Sequence, residues 1–89
     1  MTTNNTWQVY LLRCSDNSLY TGITTDIQRR LKEHNNSKLG AKYTRARRPV
    51  VIAYLENASD RSEASKREHQ LRKLAKAKKE QLVQQYKVT

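Results

Sequence analysis

Two strand-like runs separated by a polar turn constrain the fold of this chain more than any other feature of its sequence. The first run, 7–14 (WQVYLLRC), is apolar on both of its alternating faces, which is typical of a strand covered on both sides. The turn 15–18 (SDNS) leads into the run 19–23 (LYTGI), so the two runs predict a β-hairpin. Gly22 inside the second run predicts a bulge or a close approach of other atoms to its backbone.

The length of the hairpin loop decides whether Tyr10 and Tyr20 share a face of the sheet. A four-residue loop pairs Cys14 with Leu19 and puts the two tyrosines on opposite faces. A five-residue loop pairs Arg13 with Leu19 and puts both tyrosines on the same face. A site shared by the two tyrosines therefore predicts the second register, or a bulge with the same result.

A helix and a basic connection follow the hairpin. Thr25, with Gln28 three residues later, forms a capping-box pattern that predicts the N-terminus of a helix. The two asparagines at 35 and 36 mark its expected end. The stretch 37–48 (SKLGAKYTRARR) has no clear period, and we expect a basic connection with a short helix around Ala41–Ala46.

The last part of the chain predicts a third strand and further helix. The β-branched run 50–55 (VVIAYL) predicts the strand, and the ENASD segment that follows ends it. Asp60, with Glu63 three residues later, caps a helical part that reaches about Tyr86, as one long helix or as two separated near 74–76. The order β-β-α-β-α predicts an α/β (α+β) fold with a small, mostly antiparallel three-stranded sheet flanked by helices.

Length and composition limit the possible functions. With 89 residues, we expect one domain over 7–86, a disordered tail at 1–6 and a short tail at 87–89. Lys and Arg number 18 against 8 Asp and Glu, and this net charge of +10 favours a polyanionic partner, with nucleic acid ahead of an anionic membrane surface. The single cysteine, Cys14, excludes an internal disulfide and a multi-cysteine zinc cage. No segment is typical of a signal peptide or approaches the roughly 20 apolar residues of a membrane span, so we expect a cytoplasmic protein.

The first predicted helix places polar residues at its apolar stripe. Ile27 and Leu31 define the stripe at about 100° per residue, and His34 falls within it. Arg30 lies on the flank of the stripe, whereas Arg29 points almost the opposite way. An arginine on the flank can snorkel to water, or it can line a cleft and present its donors to a phosphate.

The C-terminal helical part repeats this pattern with an acid. Ala64, Leu71 and Ala75 form its apolar stripe, and Glu68 lies within it. Because acids are seldom buried unless they are paired or bound to a metal, Glu68 is either a structural ion-pair partner or a site residue. The inward tilt of the arginine and histidine on the first helix favours a site.

These residues carry a resemblance to a known family. The segments 8–12 (QVYLL) and 19–35 (LYTGITTDIQRRLKEHN) resemble the GIY-YIG nuclease superfamily, in which a GIY-like strand precedes a YIG-like strand and an arginine follows the glycine by eight positions. The segments 40–50 and 62–82 resemble its small single-domain bacterial branch, the YhbQ/YazA-like proteins. The matching positions are Val9, Tyr10, Tyr20, Thr21, Gly22 and Arg30, with His34 one helical turn further.

Two features depart from the family pattern. Gln8 stands where the first motif has glycine, and Thr21 replaces the central isoleucine of the second, but both positions shape the backbone rather than the chemistry. We also expect no accessory DNA-binding domain of the kind that many larger members carry. The choice of target would then come from the nuclease module or from a protein partner.

The resemblance implies a metal-dependent DNA endonuclease that hydrolyses phosphodiester bonds, with a possible preference for particular DNA structures and a role in repair or recombination. Arg30 would stabilise the scissile phosphate, and Glu68 would bind Mg²⁺, or Mn²⁺ in its place. Tyr10 or Tyr20 would activate water, with His34 assisting. A tyrosine, with its ordinary pKa near 10, needs a nearby cation or metal to act as a base at neutral pH. Between the two tyrosines we prefer Tyr10.

Residues outside this catalytic set are expected to contact nucleic acid, whether branched, flapped or damaged DNA, with RNA also open. Tyr43 can stack on a base from within a basic loop or serve packing alone. The alternative function is a non-catalytic nucleic-acid-binding module or an adaptor that retains the fold. Such a module has no chemical need for an acid near phosphate, so Glu68 favours the enzyme. The expected contact residues are Arg29, Lys42, Tyr43, Arg45, Arg47, Arg48 and Lys73.

Overall fold

The computed structural model describes residues 6–88, except for the side chain of Val88, and contains one three-stranded antiparallel sheet in the order β2-β1-β3. The chain order is β-β-α-α-β-α-α, so the predicted α+β fold with a small antiparallel sheet is confirmed. Residues 1–5 of the expected N-terminal tail, and Thr89, lie outside the described part. The elements are β1 (Trp7–Arg13), β2 (Leu19–Thr24), α1 (Ile27–Asn36), α2 (Lys42–Arg45), β3 (Val51–Ala58), α3 (Arg61–Lys73) and α4 (Lys76–Val88).

The hairpin has the register that puts both tyrosines on one face. Arg13 pairs with Leu19, and Tyr10 pairs with Gly22, as a five-residue loop requires. Tyr20 packs in the same apolar cluster as Tyr10. The register predicted for a shared site is therefore confirmed.

The central strand β1 is buried on both sides, as its sequence predicted. Val9 and Leu11 contact the clusters under α3 and α4, whereas Tyr10 and Leu12 contact the cluster under α1. None of these four side chains is more than 1% exposed. The sheet therefore separates two helical layers, and β2 forms one of its edges.

The N-cap of α1 is Asp26 rather than the predicted Thr25. The Asp26 carboxylate accepts a hydrogen bond from the backbone N–H of Arg29 at 3.1 Å, and a carboxylate also stabilises the positive end of the helix dipole. The hydroxyl of Thr24 in turn accepts the N–H of Asp26 at 3.0 Å. The predicted end of this helix, at the two asparagines, is confirmed.

The C-terminal part consists of two helices, one of the two arrangements that the sequence left open. Asp60 caps α3 as predicted, because its carboxylate accepts the backbone N–H of Glu63 at 2.8 Å. Leu74 has an extended backbone and packs into the core, which ends α3. Ala75, expected in the buried stripe, is exposed instead because it follows this break.

Two element ends lie further along the chain than predicted. β3 continues to Ala58, beyond the run at 50–55, because it pairs with β1 as far as Trp7. α4 continues to Val88, so the expected tail at 87–89 is helical over the two positions that the structure describes. Within residues 6–88, the structure shows no helix long and apolar enough to cross a membrane.

Candidate active site

Hydrogen bonds link three buried polar side chains from three different elements. The hydroxyl of Tyr10 on β1 lies 3.0 Å from Nε2 of His34 on α1, and Nδ1 of His34 lies 2.8 Å from Oγ1 of Thr44 on α2. The Thr44 hydroxyl donates to the backbone carbonyl of Ala41 at 2.9 Å. Tyr10 is 1% exposed, and His34 and Thr44 are 0% exposed. We call Tyr10, His34 and Thr44 the buried floor of the site.

Gly22 makes room for the phenol ring in this floor. A Cβ atom at Gly22 would lie 2.9 Å from Cε1 of Tyr10 and closer still to Cζ and the hydroxyl, whereas ordinary contacts of a Cβ atom are 3.4–4 Å. Gly22 does not have a positive φ, so the position requires glycine for space rather than for backbone conformation. The close approach predicted at this glycine is confirmed.

Burial keeps Tyr10 and His34 neutral at pH 7. Burial raises the pKa of Tyr10 from 10 to about 12, although a hydrogen bond and the positive charge from Arg30 act in the opposite direction. Burial likewise lowers the pKa of His34 from 6.5 to about 4, and the charge of Arg30 adds to this effect. His34 is thus a neutral imidazole beside a phenol and can accept its proton.

Arg30 lies next to the floor, and its positive charge lowers the pKa of Tyr10. Its Nη1 donates to the Glu33 carboxylate at 2.8 Å and to the Leu39 carbonyl at 2.9 Å. The side chain is 26% exposed, against 65% for the neighbouring Arg29. The predicted difference in orientation between these adjacent arginines is confirmed.

Glu68 approaches the phenol from the opposite helical layer. α3 packs on the face of the sheet that carries Val9, whereas Tyr10 faces α1. The negative charge of Glu68 nevertheless raises the pKa of Tyr10, so the carboxylate is within electrostatic range of the phenol. Glu68 is 21% exposed and forms an ion pair with Arg72 at 3.1 Å. The ion pair weighed from the sequence is therefore present, and the site role of Glu68 stays a prediction.

The donors present fit a divalent cation that keeps most of its water. Over residues 6–88, no group of three or more His, Cys, Asp and Glu residues could hold a metal ion. Mg²⁺ is nevertheless often bound by one or two carboxylates, with water and substrate phosphate completing its shell. The half-buried Glu68 carboxylate is a donor of that kind.

Aromatic rings extend the floor towards the surface. Tyr20 contacts His34 edge-on, with ring centroids 5.4 Å apart, and stacks on Tyr43 at 5.8 Å. The guanidinium of Arg47 covers the Tyr43 ring at 3.8 Å. Both tyrosines of the hairpin therefore contact His34, but only the Tyr10 hydroxyl is hydrogen-bonded to it in the described structure.

Two of the residues expected to contact nucleic acid also make contacts within the protein. Arg47 forms an ion pair with Asp16 at 2.9 Å and donates to the Tyr43 carbonyl at 3.0 Å. Arg48 donates to the carbonyls of Glu33, His34 and Ser37, and so satisfies the C-terminal carbonyls of α1. The remaining charged residues of that set are exposed at the surface, namely Arg29, Lys42, Arg45 and Lys73.

Thr44 is the site residue that the sequence did not reveal. It lies between basic residues in a stretch without a clear period, where a threonine has the appearance of a surface residue. Only the packing of α2 against α1 shows that it is buried and that it contacts His34. A single sequence offers no signal for this contact, because α2 is a short helix whose position depends on tertiary contacts.

Comparisons with known proteins show which family this chain resembles. A family model described as the GIY-YIG catalytic domain matches residues 6–81. A UPF0213 protein from Desulfotalea psychrophila is 56% identical over 77 residues, which cover 86% of this chain and 70% of that protein. The solution NMR structure of a UPF0213 protein from Bacillus halodurans is 44% identical, covers 89% of this chain and 83% of that one, and has a TM-score of 0.56. The solution NMR structure of a protein from E. faecalis is 41% identical in sequence and has a TM-score of 0.64. The match covers 100% of this chain and 94% of that one.

Proposed function

The chain belongs to the GIY-YIG family, and from this membership and the geometry of its site we propose that it is a metal-dependent DNA endonuclease that hydrolyses phosphodiester bonds. The observation that carries the proposal is the hydrogen bond of 3.0 Å between the Tyr10 hydroxyl and Nε2 of a neutral, buried His34. A phenol next to an unprotonated imidazole and a guanidinium is suited to proton abstraction from water.

The proposed reaction begins with two linked proton transfers. An attacking water gives a proton to the Tyr10 hydroxyl oxygen while the phenol's own proton passes to Nε2 of His34, which becomes an imidazolium. The resulting hydroxide forms a new bond to phosphorus. The bond to the leaving oxygen breaks, and that oxygen takes a proton from solvent. Because only 1% of Tyr10 is exposed, the site has to open for this water to reach the hydroxyl.

Arg30 has two roles in this scheme. Its fixed positive charge lowers the pKa of Tyr10, against the larger effect of burial, and so helps the phenol to release its proton to His34. Its partly exposed donor fork can also bind the scissile phosphate and stabilise the negative charge that develops there. Tyr20 and Tyr43 form the adjoining aromatic wall.

Glu68 would hold the divalent cation, Mg²⁺ or Mn²⁺, which supplies Lewis-acid stabilisation of charge on the phosphate and the leaving oxygen. To do so, the Glu68 carboxylate has to share or release its ion pair with Arg72. Because this pair is partly exposed to water, releasing it costs little, roughly 0–1 kcal/mol.

The proposed DNA-binding surface consists of exposed cations on α1, α2 and α3. Exposed lysine and arginine side chains gain more from phosphate than side chains held by hydrogen bonds within the protein, so we leave Arg47 and Arg48 out of it. A branched, flapped or damaged duplex is the proposed substrate, RNA is a second possibility, and a protein partner would add specificity. An enzyme that acts on chromosomal DNA in this way would work in the cytoplasm. The surface comprises Arg29, Lys42, Arg45 and Lys73, with Tyr43 beside them.

The ion pair of Glu68 favours a second candidate function. A carboxylate that stays neutralised by Arg72 does not bind a metal, and the same domain would then be a non-catalytic nucleic-acid-binding module or an adaptor. The two candidates differ in their requirement for a metal.

Cleavage of labelled flapped, branched and plain duplex DNA separates the candidates. Each substrate is incubated with the purified protein in Mg²⁺, in Mn²⁺ and in EDTA, alongside Glu68→Gln and the matched control Arg72→Gln. We expect metal-dependent cleavage that is lost in Glu68→Gln and retained in Arg72→Gln. Salt-sensitive binding without cleavage in any metal would instead indicate the binding module.

A further inference from the structure

We propose that Thr44 is a positioning residue that holds His34 in the tautomer protonated at Nδ1, leaving Nε2 free to accept the Tyr10 proton. The inference rests on the proposed function for its catalytic meaning, but the tautomer itself can be measured without any cleavage. It depends on three contacts: 3.0 Å from Tyr10 to Nε2, 2.8 Å from Nδ1 to Thr44, and 2.9 Å from Thr44 to the Ala41 carbonyl.

The direction of these hydrogen bonds follows from counting protons. A threonine hydroxyl has one proton, and the Ala41 carbonyl can only accept. If Thr44 donates to that carbonyl, then its oxygen has to accept the Nδ1 proton of His34. Nε2 then carries no proton and accepts the Tyr10 O–H, so the protons of Tyr10, His34 and Thr44 each have an acceptor.

The opposite tautomer satisfies fewer groups. With the proton on Nε2, His34 would donate to the Tyr10 oxygen. The Tyr10 proton would then have no acceptor among the described hydrogen bonds. Thr44 would have to donate to Nδ1 and leave the Ala41 carbonyl. The one contact in favour of this tautomer is the Ala41 N–H, 3.4 Å from Nδ1, a long hydrogen bond.

The count of hydrogen bonds decides the tautomer because the groups involved are buried. Thr44 and His34 are both 0% exposed, so water cannot replace a missing partner. In the described residues, no buried side-chain nitrogen or oxygen lacks a hydrogen bond, as a fully directed chain requires. The segment that presents Thr44 is itself held by Arg47, which bonds the Tyr43 carbonyl and pairs with Asp16 at the hairpin loop.

Nitrogen NMR of the histidine rings tests the inference directly. In ¹⁵N-labelled protein at neutral pH, long-range proton–nitrogen spectra show which ring nitrogen carries the proton. We expect His34 to be neutral and protonated at Nδ1, with the exposed His69 as an internal reference. A wild-type His34 protonated at Nε2 would overturn the proposal without any variant being made.

Two matched variants separate positioning from packing. Thr44→Val keeps the shape but removes the hydroxyl, so we expect His34 to shift towards the other tautomer or a mixture, and kcat to fall by about tenfold or more with KM little changed. Thr44→Ser restores the hydroxyl and should restore both. An unchanged His34 tautomer in Thr44→Val would contradict the proposal. If wild-type protein cleaves no DNA although the tautomer responds as expected, the proposed function fails and the positioning role of Thr44 stands.

Discussion

Replacing Gly22 by alanine should break the floor of the site through a single steric contact. The added methyl would lie 2.9 Å from Cε1 of Tyr10 and closer to the Cζ and hydroxyl oxygen, whereas 3.4–4 Å is an ordinary contact. Tyr10 therefore has to move, but it is 1% exposed and packed among the buried residues under α1. Movement of the ring breaks the hydrogen bond of 3.0 Å to His34.

The magnitude follows from two costs. Overpacking a filled core costs about 1–3 kcal/mol, and leaving a buried polar group unpaired costs about 1–3 kcal/mol more. Replacing glycine by alanine also lowers the conformational entropy of the unfolded chain, which stabilises the folded state by about 0.4–1 kcal/mol. We therefore expect Gly22→Ala to lower the free energy of unfolding by about 3 kcal/mol. For a domain of this size, that is a fall in Tm of roughly 12–24 °C.

Urea unfolding, monitored by circular dichroism, measures this loss of stability. Making Gly22→Ala in two Tyr10 variants identifies its cause. Tyr10→Phe keeps the ring atoms that collide with the methyl, so Gly22→Ala should remain costly in it. Tyr10→Leu removes the ring, so the cost of Gly22→Ala should fall by at least about 1 kcal/mol in that background. Wild-type stability in Gly22→Ala, or an equal cost in the Tyr10→Leu background, would refute the steric argument.

Three further predictions follow from the same geometry. Between pH 6.5 and about 4 the protein should lose stability as the pH falls, because buried His34 stays neutral while His34 of the unfolded chain takes up a proton. Urea unfolding at pH 7 and pH 4.5 should therefore show a smaller loss of stability for His34→Gln than for the wild type. Arg30→Ala should abolish DNA cleavage, whereas Arg29→Ala should only weaken binding; equal losses of activity in both would contradict the assignment of Arg30 to the site. The hydrogen bonds of Arg13 lower the pKa of Glu80 to about 2, so the contribution of this pair is present above pH 4.5 and lost as the pH falls towards 2. Because both side chains are partly exposed, Glu80→Gln should cost no more than about 1 kcal/mol in thermal unfolding at pH 7, and a larger cost would mean that the pair is buried in solution.

The sequence predicted the elements that depend on local pattern. The hairpin, the cap at Asp60 and the inward position of His34 follow from alternation, capping and helical periodicity over a few residues. The choice of Asp26 over Thr25 as N-cap was missed, because both residues are good caps and only the path of the chain leaving β2 separates them.

The site depends on contacts between distant segments, and these were harder to predict. The Tyr10–His34 pair could be expected from strand register and helix period, since both side chains lie on the face between β1 and α1. Thr44 could not, because α2 is one short turn whose position depends on tertiary contacts. Arg48, which we expected to bind nucleic acid, also caps the C-terminus of α1 through backbone carbonyls, and no sequence pattern marks that contact.

The most direct test of the central claim is the single-turnover cleavage rate of Tyr10→Phe on a DNA substrate that the wild-type protein cuts in Mg²⁺. The substitution removes one hydroxyl from a hydrogen bond of 3.0 Å and leaves the ring in place. We predict that DNA affinity, measured separately in EDTA, stays within about threefold of wild type while the cleavage rate falls by about 100-fold or more. Cleavage by Tyr10→Phe at the wild-type rate would show that another group activates the water and would contradict the proposed role of Tyr10.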